Sequence, residues 1–503
     1  MKYLPFCVLM GCVLCVCPAW SEYTYKEDDT RFMNGTLYDV NGDPVTGIYE
    51  EFHENNVKKS RMPYANGVLN GLGTLYDERG VKSADMPFVD GRAEGVALVY
   101  YADGALKEKI PYKNGKINGI MRTYYSNGNL KSKVTFDNDV PNGEAKEYYE
   151  DGKLKETFDY ADGKKQGNAT VYFYDGNVAE NVKYNNGEIT GERIVYYKSG
   201  HPKSRIQYAE GKKNGTMQNF FEDGGLEASV PYVNDVIEGE GRFYQEDGTL
   251  VLTVTYQNNV RNGIAKAYHP NGKAKIAVNY QNDVKNGVET EYFESGAVKT
   301  EMPYIEGVIN GIGREYDEMA GLLTEMTYVN AVANGAAKFY EDGKLTTEAN
   351  YKNGKKNGIQ KDYDKTGRLV SESTYSDDTL NGEYKEFYDS GKIKSTAAYV
   401  NGVLEGLSLI YDEDGNLSYE VPYVNNRKDG KVKRYYPTGE LMGEVTYEKG
   451  QKHGMLDAYN LDGSLMAKVL FNKDVAIKGY SLDHGKRPLL MTPEELRLIN
   501  EAY

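Results

Sequence analysis

An aromatic residue returns every 24 positions through most of this 503-residue chain. Tyr64, Phe88, Tyr112, Phe136, Tyr160, Tyr184, Tyr208, Tyr232, Tyr256, Tyr280, Tyr304 and Tyr328 keep the step. One residue is then lost, and Tyr351, Tyr375, Tyr399, Tyr423, Tyr447 and Phe471 resume it. With that aromatic as position 0, a glycine stands at +7 from Gly71 to Gly454, and a second aromatic at +12 from Tyr76 to Tyr459. Columns held in phase over such a distance define a repeat architecture, in which each unit contacts its neighbours and the stack supplies the core.

The unit Tyr112–Thr135 reads YKNGKINGIMRTYYSNGNLKSKVT and is written for strands. Apolar residues lie six and two positions before each marker aromatic, as in Leu130 and Val134, Leu154 and Phe158, or Leu226 and Val230. Even spacing puts them on the marker's face of a strand, with Lys131 or Lys155 on the other. A second strand runs from Gly119 through Tyr124. Ser126-Asn127-Gly128 reads as the short hairpin turn, its glycine supplying positive φ, and Lys113 to Asn118 as the wider one. A small residue usually follows the +7 glycine by two (Gly73, Ala97, Ala145, Ala169), leaving room for a neighbouring ring to lie across bare backbone.

The signature YxNGxxxGxxxxYYxxGxLK at Tyr112–Lys131, carried with substitutions through Val40–Gly479, resembles the MORN repeat, specifically the bacterial variant labelled antitoxin component YwqK. Classical MORN units favour a tryptophan in the first strand, whereas the only tryptophan here is Trp20, outside the array. The resemblance implies an all-β fold, an elongated single-layer antiparallel β-meander of roughly nineteen hairpins used for binding. It implies no catalytic residues.

The ends are written differently. Met1-Lys2, the apolar run Leu4 to Cys17 and Ala19-Trp20-Ser21 read as a secretory signal peptide over 1–21, cut after Ser21. Leu9-Met10-Gly11-Cys12 loosely fits a lipidation site and offers a rival anchor. All four cysteines fall in this segment, so the cleaved chain has no disulfide or thiolate site. Residues 22–39 form a lead-in, 40–482 the array and 483–503 a helical cap. In the cap, Thr492-Pro493-Glu494-Glu495 is a capping box with proline at the first helical position, and Met491 can staple to Leu496. Such a helix would present Leu496, Ile499 and Tyr503 on one side and shield an open edge.

Little in the chain points to chemistry. Net charge is −15, a poor match for nucleic acid or anionic lipid. His53, His201, His269, His453 and His484 fall in different repeats, without ligand spacing. Asp412-Glu413-Asp414-Gly415 looks like the start of a calcium loop, but it occupies the hairpin turn and lacks the distal glutamate. The glycines follow the repeat and do not form a phosphate loop. We therefore expect no catalytic, metal or cofactor-binding residue. The chain reads as an exported scaffold (periplasmic, surface-bound or secreted) for a protein partner. A glycan-binding surface, or a YwqK-like antitoxin neutralising a toxin, is the alternative.

Position +13 is the expected contact surface. It is aromatic in six successive units, at Tyr101, Tyr125, Tyr149, Phe173, Tyr197 and Phe221, then becomes Gln245, His269 and later Asp317. A packing role should not stop midway, and rings spaced about 10 Å apart suit an apolar ridge or a sugar chain. The repeat also predicts that small-angle scattering gives a radius of gyration well above the roughly 23 Å of a compact chain of this length. A compact value would overturn the repeat reading.

Overall fold

The computed structural model describes residues 23–482 and 487–502. The expected signal segment with Ser21 and Cys12, together with His484 and Tyr503, lies outside the described residues. The chain divides into two compact units, residues 1–237 with 246–248, and residues 238–245 with 249–503. Each is an antiparallel meander of hairpins, and the second also carries the helix Pro493–Ala502.

One repeat shows how the sequence builds the ladder. Gly119–Tyr124 pairs with Leu130–Asp137, setting Gly119 opposite Phe136 and Met121 opposite Val134. Leu130–Asp137 then pairs with Val140–Tyr148, setting Val134 opposite Ala145. Cross-strand partners share a face, so positions −2, 0, +5 and +9 point one way. Positions −3, −1, +1, +4, +8 and +10 point the other.

The two turns are the reverse of the expected pair. The tight one is the Asn-Gly dipeptide at +2 and +3: Lys113 pairs with Lys116, and Asn114 and Gly115 between them have φ of 52° and 80°. Two successive positive φ values make a type I′ turn, whose twist matches the strands it joins. What reads as one broad loop therefore contains a two-residue turn, the short strand Lys116–Ile117 and a bulge leading to Gly119, at φ 109°. The wider turn is Ser126-Asn127-Gly128, closed by Tyr125 N–H donating to the Asn129 carbonyl (2.8 Å) and Gly128 N–H to the Tyr125 carbonyl (2.9 Å). The residue lost after Tyr328 comes out of this wider turn. There Glu341 pairs with Lys344 around Asp342-Gly343, at φ 52° and 73°, so a type I′ turn replaces the three-residue loop and the later register survives.

Burial follows the −2/+9 pair. Ala145 and Phe158 are cross-strand partners, as are Ala169 and Val182, and these four form one core cluster. In the second unit the same pairing sets Ala265 against Val278 and Leu456 against Val469. Gly73 occupies +9 where a Cβ would lie 2.5 Å from Met62 Sδ and 3.2 Å from the Phe88 ring, so the ring does lie over bare backbone. Backbone bonds tie one type I′ turn to the one before it: Asp139 N–H donates to the Ile117 carbonyl and Gly163 N–H to that of Pro141, each at 2.9 Å.

Both ends are closed. The lead-in is more structured than expected: Thr24–Lys26 adds to Gly47–Phe52 as a parallel strand, and Thr30–Met33 with Thr36–Asp39 forms a separate hairpin. At the other end Leu489–Leu490 pairs with the last long strand, Val475–Ser481. Thr492 and Glu495 make the capping box, Glu495 N–H donating to Thr492 Oγ1 (3.3 Å) and Thr492 N–H to Glu495 Oε2 (2.6 Å). Met491, Leu496 and Ile499 pack on the cluster of Val445, Leu456, Val469 and Phe471. The helix thus covers a face of the last repeats, while the two-residue strand covers the edge.

Gly119→Val tests how far such a structure propagates damage. Its φ is hostile to a β-branched residue, at a cost of about 1–3 kcal/mol. Hydrogen exchange should rise in the strands around Gly119 and stay native over Val421–Phe471. Uniform loss of protection would show a single cooperative unit instead.

Candidate functional site

The two faces of the sheet differ in kind, and the first is closed by its own side chains. Where +5 is basic, its charged head sits over the marker ring of the next repeat: Lys213 Nζ lies 4.9 Å from the Tyr232 ring centre, Arg261 4.2 Å from Tyr280, and Lys428 5.2 Å from Tyr447. Where +5 is aliphatic, as at Ile189, it packs on the same cluster. Lysine alternating with isoleucine in one column hides this role in the sequence. The long lysine stem supplies apolar cover and the ammonium meets the ring face.

On the second face the +12 phenol reaches the residue at −3. Tyr100 donates to Asp85 (2.9 Å), Tyr316 to Glu301 (3.0 Å) and Tyr363 to Glu348 (2.9 Å). Burial first, then the Glu348 carboxylate, pushes Tyr363 up to about 12.

The six expected contact residues lie at the edge formed by the wider turns, and all are half-buried. The structure places them in one column, each in its own repeat. Tyr101, Tyr125, Tyr149 and Tyr197 donate their hydroxyls to the +12 carbonyls of the following repeats, at Tyr124, Tyr148, Tyr172 and Phe220, over 2.7–2.8 Å. Phe173 and Phe221 have no hydroxyl to give. The interruption of the column also has a structural counterpart. His269 Nε2 bonds the Tyr292 carbonyl in the same way (3.0 Å). Aspartate at +13 instead accepts from its own turn, as Asp317 does from the N–H groups of Met319 and Gly321, each at 2.8 Å. Asp412 likewise accepts from Asn416 N–H (2.8 Å), a bond that lowers its carboxyl below the usual range, so the calcium-like sequence serves as turn chemistry. Among the described residues no group of three or more His, Cys, Asp or Glu is placed to hold a metal ion.

Sequence reasoning missed the exposed apolar stripe on the second face. At +8, Ile264, Val288, Ile312 and Ile359 are 53, 51, 48 and 48% exposed. Beside them, at +1 and +4, Ile305 pairs with Val308 and Val329 with Val332, and all four side chains are exposed. The signal was available as an apolar +8 column. It was obscured because the same column is polar at Glu144, Asn168, Glu192, Thr216 and Glu240.

A repeat hairpin of this build, stacked many times, defines a repeat protein of hairpin units. The sequence matches the family described as MORN repeat variant over residues 45–66, 93–114, 117–138, 141–162, 189–210, 237–258, 261–282, 285–306, 336–353, 356–377, 380–401, 404–425 and 428–449. These segments make up more than half of the chain, and it belongs to that family. No curated protein matches it. Among solved structures it is similar to the Photorhabdus luminescens Tc holotoxin pore carrying TccC3-D651A, at 12% identity and a TM-score of 0.14, over 92% of this chain and 27% of that one. TcdB2-TccC3 matches at 10% identity and a TM-score of 0.11, over 94% and 34%. The chain thus spans about a third or less of those proteins, and likeness at these scores carries no argument.

The raised phenol gives an alkaline signature. A tyrosine whose folded pKa lies above its unfolded value near 10 contributes stability that is present below 10 and lost as pH rises through the folded value. Stability should therefore fall between pH 10 and about 12, and Glu348→Gln should move the last tyrosinate absorbance step to lower pH. An unmoved step would show that Glu348 does not hold the Tyr363 proton.

Proposed function

We propose that the chain is an exported, non-catalytic MORN-type scaffold that binds a protein partner along the exposed apolar stripe of its second face. The observation that carries this reading is the line of half-exposed side chains Ile264, Val288, Ile312 and Ile359, flanked by further exposed apolar pairs. Monomeric proteins rarely leave contiguous apolar surface of several hundred Å² open to water, and such surface marks interaction sites. Successive units are about 10 Å apart, so the stripe suits an extended apolar ridge on a partner. Export is supported by the apolar leader before Ser21. A cytosolic antitoxin of the YwqK type would not need that leader, which is why the scaffold reading is preferred.

The six-ring column is the second reading for the contact surface. Its half-buried rings keep one side open at the turn edge, where a glycan or protein could stack. Capture of the partner on immobilised protein separates the two surfaces. Val288→Glu with Ile312→Glu should abolish capture while circular dichroism stays native, whereas changing Tyr125, Tyr149 and Tyr197 to Ser should leave it within about threefold, under 1 kcal/mol. Capture surviving the stripe change and lost with the rings would move the site to the turn edge.

A further inference from the structure

Cross-strand partners at −3 and +10 form a row on the second face, and the two units write it differently. In the second unit it reads Glu301, Arg314, Glu325, Lys338, Glu348, Lys361, Glu372, Lys385, acid and base alternating over eight strands. Arg314 meets Glu325 at 2.9 Å and Glu301 at 3.8 Å, and Lys361 meets Glu372 at 3.5 Å, so the ladder neutralises itself. In the first unit the same row holds Lys109, Arg122, Lys133 and Lys146, four cations on four neighbouring strands. Like charges set opposite one another destabilise a sheet, and the second unit shows that the fold does not call for them. We propose that this row binds a linear acidic polysaccharide carrying about one anionic group per sugar.

The surrounding charges do not cancel the row. Beside it, the −1/+8 positions are Pro111, Ile120, Thr135, Glu144 and Asp159, so both carboxylates stand at one end. There Glu144 holds Lys133 (3.2 Å) and Lys146 (2.5 Å). Toward the wider turns, Lys107 is matched by Glu108 (3.5 Å), and Lys131 lies 5.7 Å from the Tyr125 ring centre. Among the described residues neither Lys109 nor Arg122 is in an ion pair, and Arg122 Nη1 donates only to the Ile120 carbonyl, at 3.5 Å. Tyr124 and Tyr148 hold the +12 places. Their counterparts Tyr100, Tyr316 and Tyr363 donate to a carboxylate at −3, but Lys109 and Lys133 have no acceptor to offer. These two phenols can serve a ligand oxygen instead.

Spacing selects the polymer. The cations stand one strand apart, about 4.8 Å, along a row of roughly 15 Å. One such step is close to the length of a pyranose in an extended chain, so successive acidic sugars meet successive cations. An extended peptide brings acidic side chains to one side only every second residue, about 6.8 Å, and is a whole charge out of step by the fourth cation. The net charge of −15 opposes such a polymer at long range only, since about 0.1 M salt screens it beyond roughly 10 Å. The row lies apart from the apolar stripe of Ile264 to Ile359, so it stands whether or not a protein partner binds there.

Isothermal titration calorimetry of the full chain with a linear tetramer of galacturonic acid reads the site. Binding should weaken about tenfold between about 50 and about 200 mM salt, and the neutral methyl-ester tetramer should not bind. Lys109→Glu with Lys133→Glu converts the row to the alternating pattern of the second unit. This double variant should raise the dissociation constant at least about thirtyfold while Tm stays at or above that of the parent chain. Arg122→Gln removes one charge without reversing any, and should weaken binding about fivefold; it decides the matter if the double variant melts early. A tetramer bound no tighter than its methyl ester, or binding indifferent to Arg122→Gln, would overturn the proposal. So would equal or tighter binding of a four-glutamate peptide, single-stranded DNA or vesicles of anionic lipid.

Discussion

A single-layer sheet has no second layer to bury its apolar face, and the rest of this structure follows from that constraint. The side chains at −2 and +9 are cross-strand partners, and their burial at Ala145 with Phe158 or Leu456 with Val469 leaves little exposed. Each such side chain is worth about 1.5–3 kcal/mol when fully removed from water. The cover comes from the marker aromatic and from the +5 residue of the repeat before. No hairpin can close its own face, so each depends on its neighbours. Burial of +9 is why this position is so often alanine or glycine: Ala97, Ala145 and Ala169 are 1% exposed or less, with no space for a larger group.

Much of this was legible because strand pairing and repeat phase are local, periodic properties. Val134 beside Phe136, the +7 glycine and the Thr492 capping box each follow from spacing or residue type. The turns were harder to read. Asn-Gly at Asn114-Gly115 is a strong type I′ signal, but the two residues after it pair back only briefly before the bulge, so the segment resembles one broad loop. The parallel strand Thr24–Lys26 was hidden for a different reason. Three residues carry no periodicity, and their pairing depends on an edge that exists only after the array has formed.

The +13 column shows how a correct observation can carry more than one cause. Its aromatic run ends after Phe221, which from sequence looks like a recognition surface giving way to plain surface. In the structure the column holds the wider turns by whatever hydrogen bond its side chain can make. Tyr125 and His269 reach forward to the next repeat, while Asp317 and Asp412 reach back into their own turns. Residues as unlike as tyrosine, histidine and aspartate can therefore exchange without loss of the turn. Residue identity can vary at a structural position when unlike side chains each find a backbone group within reach, a carbonyl of the next repeat for tyrosine and histidine, an N–H of its own turn for aspartate.

The two faces consequently carry different information. On the first, a wrong residue at −2 or +9 opens a cavity or overpacks a neighbour; −2 stays apolar or small from Met62 to Val469, while +9 is most often alanine or glycine but also takes Met121, Arg193, Glu289 and Tyr384. On the second, +8 is open to water, and Glu144, Thr216, Ile264 and Lys431 all occupy it without disturbing the ladder. Apolar residues there gain only part of what full burial would give. Ile264, Val288, Ile312 and Ile359 stay about half exposed, so the fold does not account for their presence. Because the strands fix their spacing and the type I′ turns hold the strands, these side chains stand in a line already set by the fold, so a partner of the kind proposed would lose less entropy on contact.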